Sequence, residues 1–240
     1  VIIQTSPGTV KRYGAAVLVD LVQTLAVRTD IPIGLHLDHG VDRAQIRECI
    51  RAGYTSVMID ASMYPFAENV ARTLEVVDEA HQEGVAVEGE IGVLAGIEDD
   101  FTVVSEQARY TTPDEAIAFQ AATGVDFLAV AIGTAHGFYK TRPRLDIDTL
   151  QTITSLVDFP LVIHGGTGLD DETIRKLVIS GGSKMNISTQ LKKTYIDSMY
   201  EYIQANRDEY NPLRVVDQTH RCLVEMVSRY LRLFGSTGKV

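Results

Sequence analysis

The sequence predicts an α/β protein in which parallel strands alternate with helices around a barrel, and three observations predict it. Short β-branched runs alternate with longer helical stretches along the chain, the pattern of βα units around a parallel sheet. The 240 residues match a length that α/β barrels use as one domain. Polar and glycine-rich groups recur where the β-branched runs end, and in a parallel barrel those ends share one face.

Seven strands are expected, at residues 1–5, 33–38, 56–60, 85–90, 127–132, 161–164 and 184–188. The opening Val1-Ile2-Ile3-Gln4-Thr5 has no basic region before it and no small-residue cleavage site after it, so it reads as a strand and not a signal peptide. Helices are expected at 43–52, 67–83, 113–123 and 170–180, among others. Thr112-Pro113-Asp114-Glu115 sets a capping residue before proline at the first helical position. After Ser188 the chain reads as helical for most of its remainder, with Gly235 as a stop. A closed TIM (β/α)8 barrel needs eight strands. The expected fold is therefore a TIM barrel lacking its first βα unit, with residues 1–240 forming a single, N-terminally incomplete domain. Residues 93–110, with Gly96 and the acidic Glu98-Asp99-Asp100, read as a long irregular loop, and loops of that length are usually functional.

Composition narrows the function classes. A hydrophobic fraction of 45% suits a soluble globular protein with a sizeable core. No apolar run approaches the roughly 18 residues a membrane span needs. The net charge of −10 argues against nucleic acid and anionic membranes as partners, because both select a basic footprint. Cys49 and Cys222 sit in no C-x-x-C pair and read as small hydrophobes in a reducing compartment, so a cytoplasmic location is expected.

Chemistry collects at the strand ends. His36-Leu37-Asp38-His39-Gly40 closes one strand, Asp60 the next, and Glu88 and Glu90 share one face of the third. Gly133-Thr134-Ala135-His136-Gly137, His164-Gly165-Gly166-Thr167-Gly168 and Asn186-Ile187-Ser188-Thr189 follow the others. His39, His136 and His164 could form a three-histidine site with an open position, as catalytic zinc uses, or could be hydrogen-bonded polar caps of their strands. His36 is read as a packed or supporting residue, and His81 and His220 as surface residues on helices. The amides of Gly165–Gly168, with the dipole of the following helix, and the Asn186–Thr189 turn with Lys184, could bind an anion; equally, the glycines could serve a tight turn. Glu88, Glu90 and Glu98 are candidate acid/base carboxylates, with a buried ion network and a solvated charge as the alternatives.

Taken in order, these blocks resemble the class II aldolases, the zinc-dependent fructose- and tagatose-bisphosphate aldolases. The resemblance runs over nearly the whole chain and rests on His36-Leu-Asp-His-Gly, Met58-Ile-Asp-Ala-Ser, Val87-Glu-Gly-Glu-Ile-Gly, Ala131-Ile-Gly-Thr-Ala-His-Gly and Leu161-Val-Ile-His-Gly-Gly-Thr-Gly. It implies zinc on His39, His136 and His164, with Asp60 and Glu90 at an alternative metal position, and a monovalent cation as a further candidate. It implies Asp38 as proton donor to the departing aldehyde oxygen and Glu98 as the loop residue moving the proton at the nucleophilic carbon. Gly137, Gly165, Gly166, Thr167, Asn186, Ser188 and Thr189 match substrate- and phosphate-binding positions.

The implied reaction is cleavage of a ketose 1,6-bisphosphate to dihydroxyacetone phosphate and glyceraldehyde 3-phosphate. Ser188 and the Gly-Thr-Ala-His-Gly wording lean towards tagatose over fructose. A related phosphorylated keto-sugar acid is an alternative substrate, and a non-catalytic sugar-phosphate-binding barrel is the rival reading. A homo-oligomer, dimer or tetramer, is expected. Two residues depart from the family pattern: Ala95 replaces the first of two loop glycines, and Met63 replaces a histidine after Asp-Ala-Ser.

Overall fold

The chain opens with β1 (Ile2–Thr5), whose partner β2 (Gly34–Gly40) follows two helices, α1 (Pro7–Tyr13) and α2 (Ala15–Ala26). The βα units then continue through α3 (Arg43–Ala52), β3 (Ser56–Ile59), α4 (Phe66–Gln82) and β4 (Ala86–Ile91). Next come a hairpin, β5 (Ala95–Glu98) and β6 (Phe101–Val103), then α5 (Pro113–Thr123), β7 (Phe127–Val130) and the short β8 (Ala135–His136). The chain closes with α6 (Ile147–Leu156), β9 (Leu161–Ile163), α7 (Asp171–Ile179), β10 (Gly182–Met185), α8 (Thr189–Ala205) and α9 (Pro212–Leu233). This computed structural model describes residues 1–98, 101–103, 108–139 and 141–239; the side chains of residues 95, 97, 98 and 101–103 lie outside the described set.

The seven strands read from the sequence pair in parallel in the order β1-β2-β3-β4-β7-β9-β10. The sheet is a TIM-barrel-like half-barrel that lacks part of the closed form. Its curl is visible in side chains that meet across it: Lys184 on β10 reaches Glu88 on β4, although β7 and β9 stand between them in the sheet.

Outward-facing strand residues such as Leu37, Val57, Val87, Leu128 and Ile163 are buried against helix residues Ile46, Val76, Phe119, Ile153 and Ile174. Alternation along each strand then sends the other face, with the carboxylates and histidines, into the barrel. Helix starts follow the chemistry expected of them. Thr112 and Glu115 form a reciprocal capping box ahead of α5, with Pro113 in its first turn. Gly235 stands just past α9 at φ +71°.

One expectation changes. Residues 93–110 are not wholly irregular: β5 pairs antiparallel with β6 and parallel with β8, and Val93 bridges Arg109. The strand signal there is too short to read locally, because its partner at 135–136 lies about forty residues on and the pairing decides it. Gly96 is required there for the close approach of two strands. At φ +120° it pairs with His136, and a Cβ there would sit 2.4 Å from the His136 carbonyl oxygen.

Candidate metal centre and active site

The site begins at an irregularity in β2. His39 takes φ +48°, a left-handed conformation uncommon for a non-glycine residue, and the β2–β3 register shifts between Leu37 and Gly40. Strict alternation would send Asp38 and His39 to opposite faces. The bulge lets both line the same cavity, and strain of this kind is typically kept at functional sites.

Three imidazoles converge. The ring of His39 lies 4.6 Å from that of His164 and 5.2 Å from that of His136, and the last two are 5.9 Å apart. Each offers a ligand atom within 4.8 Å of the others, and a second set, His39, Asp60 and Glu90, meets the same limit. The surrounding contacts fix ring orientation. His39 Nδ1 lies 2.8 Å from Asp60 Oδ2, so a carboxylate there favours the proton on Nδ1 and the lone pair on Nε2. His164 Nε2 lies 2.8 Å from Glu88 Oε1, and its buried Nδ1 has no hydrogen-bond partner among the described residues. Three such imidazoles fit a divalent ion with one coordination place open.

Burial governs the charges. It lowers the His164 pKa, with only partial compensation from Glu88, so the imidazole is the neutral species that metal ligation requires. Glu88 would be pushed up by its complete burial, but the Lys184 ammonium and the His164 hydrogen bond reverse this and hold it well below the usual carboxylate range. Asp60 is likewise opposed by burial, yet His39 and both donors of Ser62 bring it to about 2. His36 is fully buried, with Nδ1 2.9 Å from Ser56 Oγ and Nε2 3.4 Å from Glu88 Oε2, and burial lowers it to about 4.

A prediction follows for the metal-free protein. The unfolded chain protonates His36 near 6.5 and the folded one near 4, so stability falls as pH drops through that window. The loss from this residue is roughly 3 kcal/mol at the acid end. Urea unfolding between those pH values measures it. His36→Asn, which keeps a polar group for Ser56, should flatten the dependence; an unchanged slope would assign it to other groups.

Asp38 is 8% exposed, and its Oδ1 accepts from Asn186 Nδ2 at 2.9 Å. It belongs to neither metal-competent set. The loop Gly165–Gly168 lies against the 133–139 segment: a Cβ on Gly165, at φ +72°, would come within 2.5 Å of the Ala135 carbonyl oxygen. Tyr139 ties the two together, its hydroxyl donating to Gly165 O at 2.7 Å and accepting from Ala135 N at 3.0 Å.

The helix dipole expected to serve this loop is engaged by the protein's own carboxylate. Asp170 caps α7 by accepting from Thr173 N, with Asp171 and Glu172 in the first turn. By contrast, α8 starts from Ser188 with no side-chain cap and no acidic residue in its first turn, and Thr167 Oγ1 accepts from Gln190 N at 3.3 Å. The helix start free of acidic residues is thus that of α8, beside Asn186, Ser188 and Thr189.

Of the other expected residues, Glu90 Oε2 lies 3.5 Å from His164 Nδ1 and 3.9 Å from His39 Nδ1. Gly137 follows His136 at φ +91°, and Gly166 packs against Met185. The side chain of Glu98 lies outside the described residues, as do Asp99 and Asp100. His81 and His220 are exposed on α4 and α9, as expected. Met63 is exposed at the rim of the cavity, whose volume is about 960 Å³. Two contributors carry no local signal in the sequence: Tyr139, and Asn69 of α4, which donates to the Glu90 carbonyl oxygen at 2.8 Å.

The fold and this cluster define an α/β-barrel protein whose polar groups converge at the carboxyl ends of its strands. The model of the family "Fructose-bisphosphate aldolase class-II" matches residues 1–239. The D-tagatose-1,6-bisphosphate aldolase subunit GatY of Klebsiella oxytoca is 38% identical over 239 residues, covering 100% of this chain and 84% of that protein. The crystal structure of the YdjI aldolase from Escherichia coli K12 superposes with a TM-score of 0.85 at 32% identity, over 99% of this chain and 83% of that one. The fructose-bisphosphate aldolase of Campylobacter jejuni, at 23% identity and a TM-score of 0.83, covers 98% of this chain and 83% of its own, and supports the fold. The chain belongs to the class II fructose-bisphosphate aldolase family, and is therefore a lyase of the zinc-dependent aldolase class. Among the described residues no helix is long and apolar enough to cross a membrane.

Proposed function

We propose that the protein reversibly cleaves a ketose 1,6-bisphosphate, tagatose in preference to fructose, to dihydroxyacetone phosphate and glyceraldehyde 3-phosphate. The observation that carries this reading is the convergence of His39, His136 and His164 beside Asp38, a carboxylate outside both metal-competent sets. A zinc ion on the three histidines would supply a Lewis acid for the enediolate oxygen that retro-aldol cleavage leaves, so no Schiff-base lysine is needed. Asp60 and Glu90, with His39, offer an alternative position for the ion.

Asp38 exchanges a proton with the C4 oxygen of the ketose, held towards it by the Asn186 amide. One phosphate sits among the amides of Gly137, Gly165, Gly166 and Thr167 and the start of α8 at Ser188 and Thr189. The tagatose preference rests on Ser188 and on the 38%-identical GatY. The protein is a cytoplasmic homo-oligomer in this reading, consistent with free Cys49, whose burial pushes its thiol up to about 12 and makes it inert. A coupled assay with both bisphosphates, with and without zinc and with monovalent cations varied, tests the proposal. Cleavage of neither bisphosphate by the zinc-loaded protein would overturn it.

Glu98 moves the proton at the nucleophilic carbon of dihydroxyacetone phosphate in this scheme, carried there by the 93–110 segment closing over the ligand. Glu98→Gln should leave zinc and phosphate affinity nearly intact while slowing exchange of that proton with deuterated solvent by about 10²–10⁴-fold. Exchange at the parent rate would make Glu98 a solvated surface charge.

A further inference from the structure

We propose that Lys184 is a positioning residue that orients two site side chains at once: His164 through Glu88, and Asp38 through Asn186. The inference rests on the reading of His164 as a metal ligand and Asp38 as the proton donor. Lys184 Nζ donates to Glu88 Oε2 at 2.8 Å and to Asn186 Oδ1 at 2.7 Å. Its side chain is 10% exposed and that of Glu88 is fully buried.

Chemistry fixes the direction of each branch. An ammonium only donates, so the oxygen of the Asn186 amide must face it. The Asn186 NH2 is thereby turned away from the lysine and towards Asp38 Oδ1, 2.9 Å distant. On the other branch, Lys184 engages one oxygen of Glu88 and leaves the second for His164 Nε2 at 2.8 Å. Asn186 Nδ2 also lies 3.3 Å from His164 Nε2, but its shorter contact is the 2.9 Å bond to Asp38. The carboxylate at 2.8 Å accepts, so the His164 proton lies on Nε2 and the lone pair on Nδ1, the buried atom 3.5 Å from Glu90 Oε2. His36 Nε2, 3.4 Å from the same Glu88 oxygen as Lys184, packs the third side of the carboxylate.

The fold explains why one residue can do both. Lys184 and Asn186 are two apart and share a face at the end of β10, as Glu88 and Glu90 do on β4. The β10–β9 register shifts between Gly182 and Lys184, and the curl of the half-barrel carries the ammonium across to β4. A buried carboxylate requires a partner cation to hold its geometry, and Lys184 provides it from the strand that also supplies Asn186.

The test uses Lys184→Met, Glu88→Gln and the double variant. Zinc affinity is read by competition with a chromophoric chelator. The His164 tautomer is read by ¹⁵N NMR of the metal-free protein, its ring signal assigned by loss in His164→Asn. Lys184→Met should weaken zinc binding about 10–100-fold, the usual effect of removing a group that orients a ligand. It should also mix the His164 tautomers and lower kcat more than it raises KM. Glu88→Gln should weaken zinc comparably, and the double variant should bind zinc no more weakly than Glu88→Gln, because Lys184 acts on His164 through Glu88.

Parent-like zinc affinity with a single tautomer in Lys184→Met overturns the proposal, as do additive losses in the double variant. If Lys184→Met fails to fold, the double variant, which leaves no uncompensated carboxylate, is compared with Glu88→Gln and decides by the same criterion. If the parent itself binds no zinc, the metal reading fails, and the NMR arm still decides whether Lys184 sets the ring.

Discussion

His39→Ala, His136→Ala and His164→Ala are each expected to lose stoichiometric zinc and nearly all aldol cleavage. The three rings come from different parts of the chain, the bulged β2, the short β8 and the residue after β9, and pack within 4.6–5.9 Å of one another. With one ring gone the three-histidine site is a ligand short, and only His39→Ala also removes a member of the alternative set His39, Asp60 and Glu90. The variants should differ in stability. His164 is fully buried and bonded to Glu88, so its removal leaves a buried carboxylate short of a donor, at a cost of about 1–3 kcal/mol. His136 is only half-buried and has the mildest structural penalty, which makes it the cleanest test. Metal analysis of the purified proteins measures the outcome, and retention of one zinc per chain in any two of the variants would sink the assignment.

Asp38→Ala should instead keep its zinc and lose cleavage by roughly 10²–10⁴-fold, the range for a positioned acid or base. Asp38 neighbours His39 in sequence, but its partner in space is the Asn186 amide, and it belongs to neither metal-competent set. The expected signature is therefore normal metal content with a fall in kcat. Asp38→Asn should behave alike, since it keeps the size and loses the exchangeable proton. Parallel loss of metal and activity would show that Asp38 holds the site together and is not the proton donor.

The sequence determined the βα alternation, the seven parallel strands and the placing of His39, Asp60, His136, His164 and Asn186 at their ends. Each of these is local: a β-branched run makes a strand, a polar residue after it marks its end, and parallel strands bring their ends together. The caps of α5 and the stop after α9 were legible for the same reason. Tertiary structure decided the rest. The left-handed turn at His39 has no local signature, since it is stabilised by neighbours on β3, and it alone lets Asp38 and His39 share a face. The β5–β6 hairpin exists because β8 offers it an edge. That Asp170 caps α7 while Ser188 makes no such cap at α8 is also a matter of the packed geometry. The Glu88–Lys184–Asn186 chain joins residues 96 apart in sequence, and its partners are set by the curl of the sheet. Distances across a curved sheet depend on strand order and register, and these are properties of the packed whole.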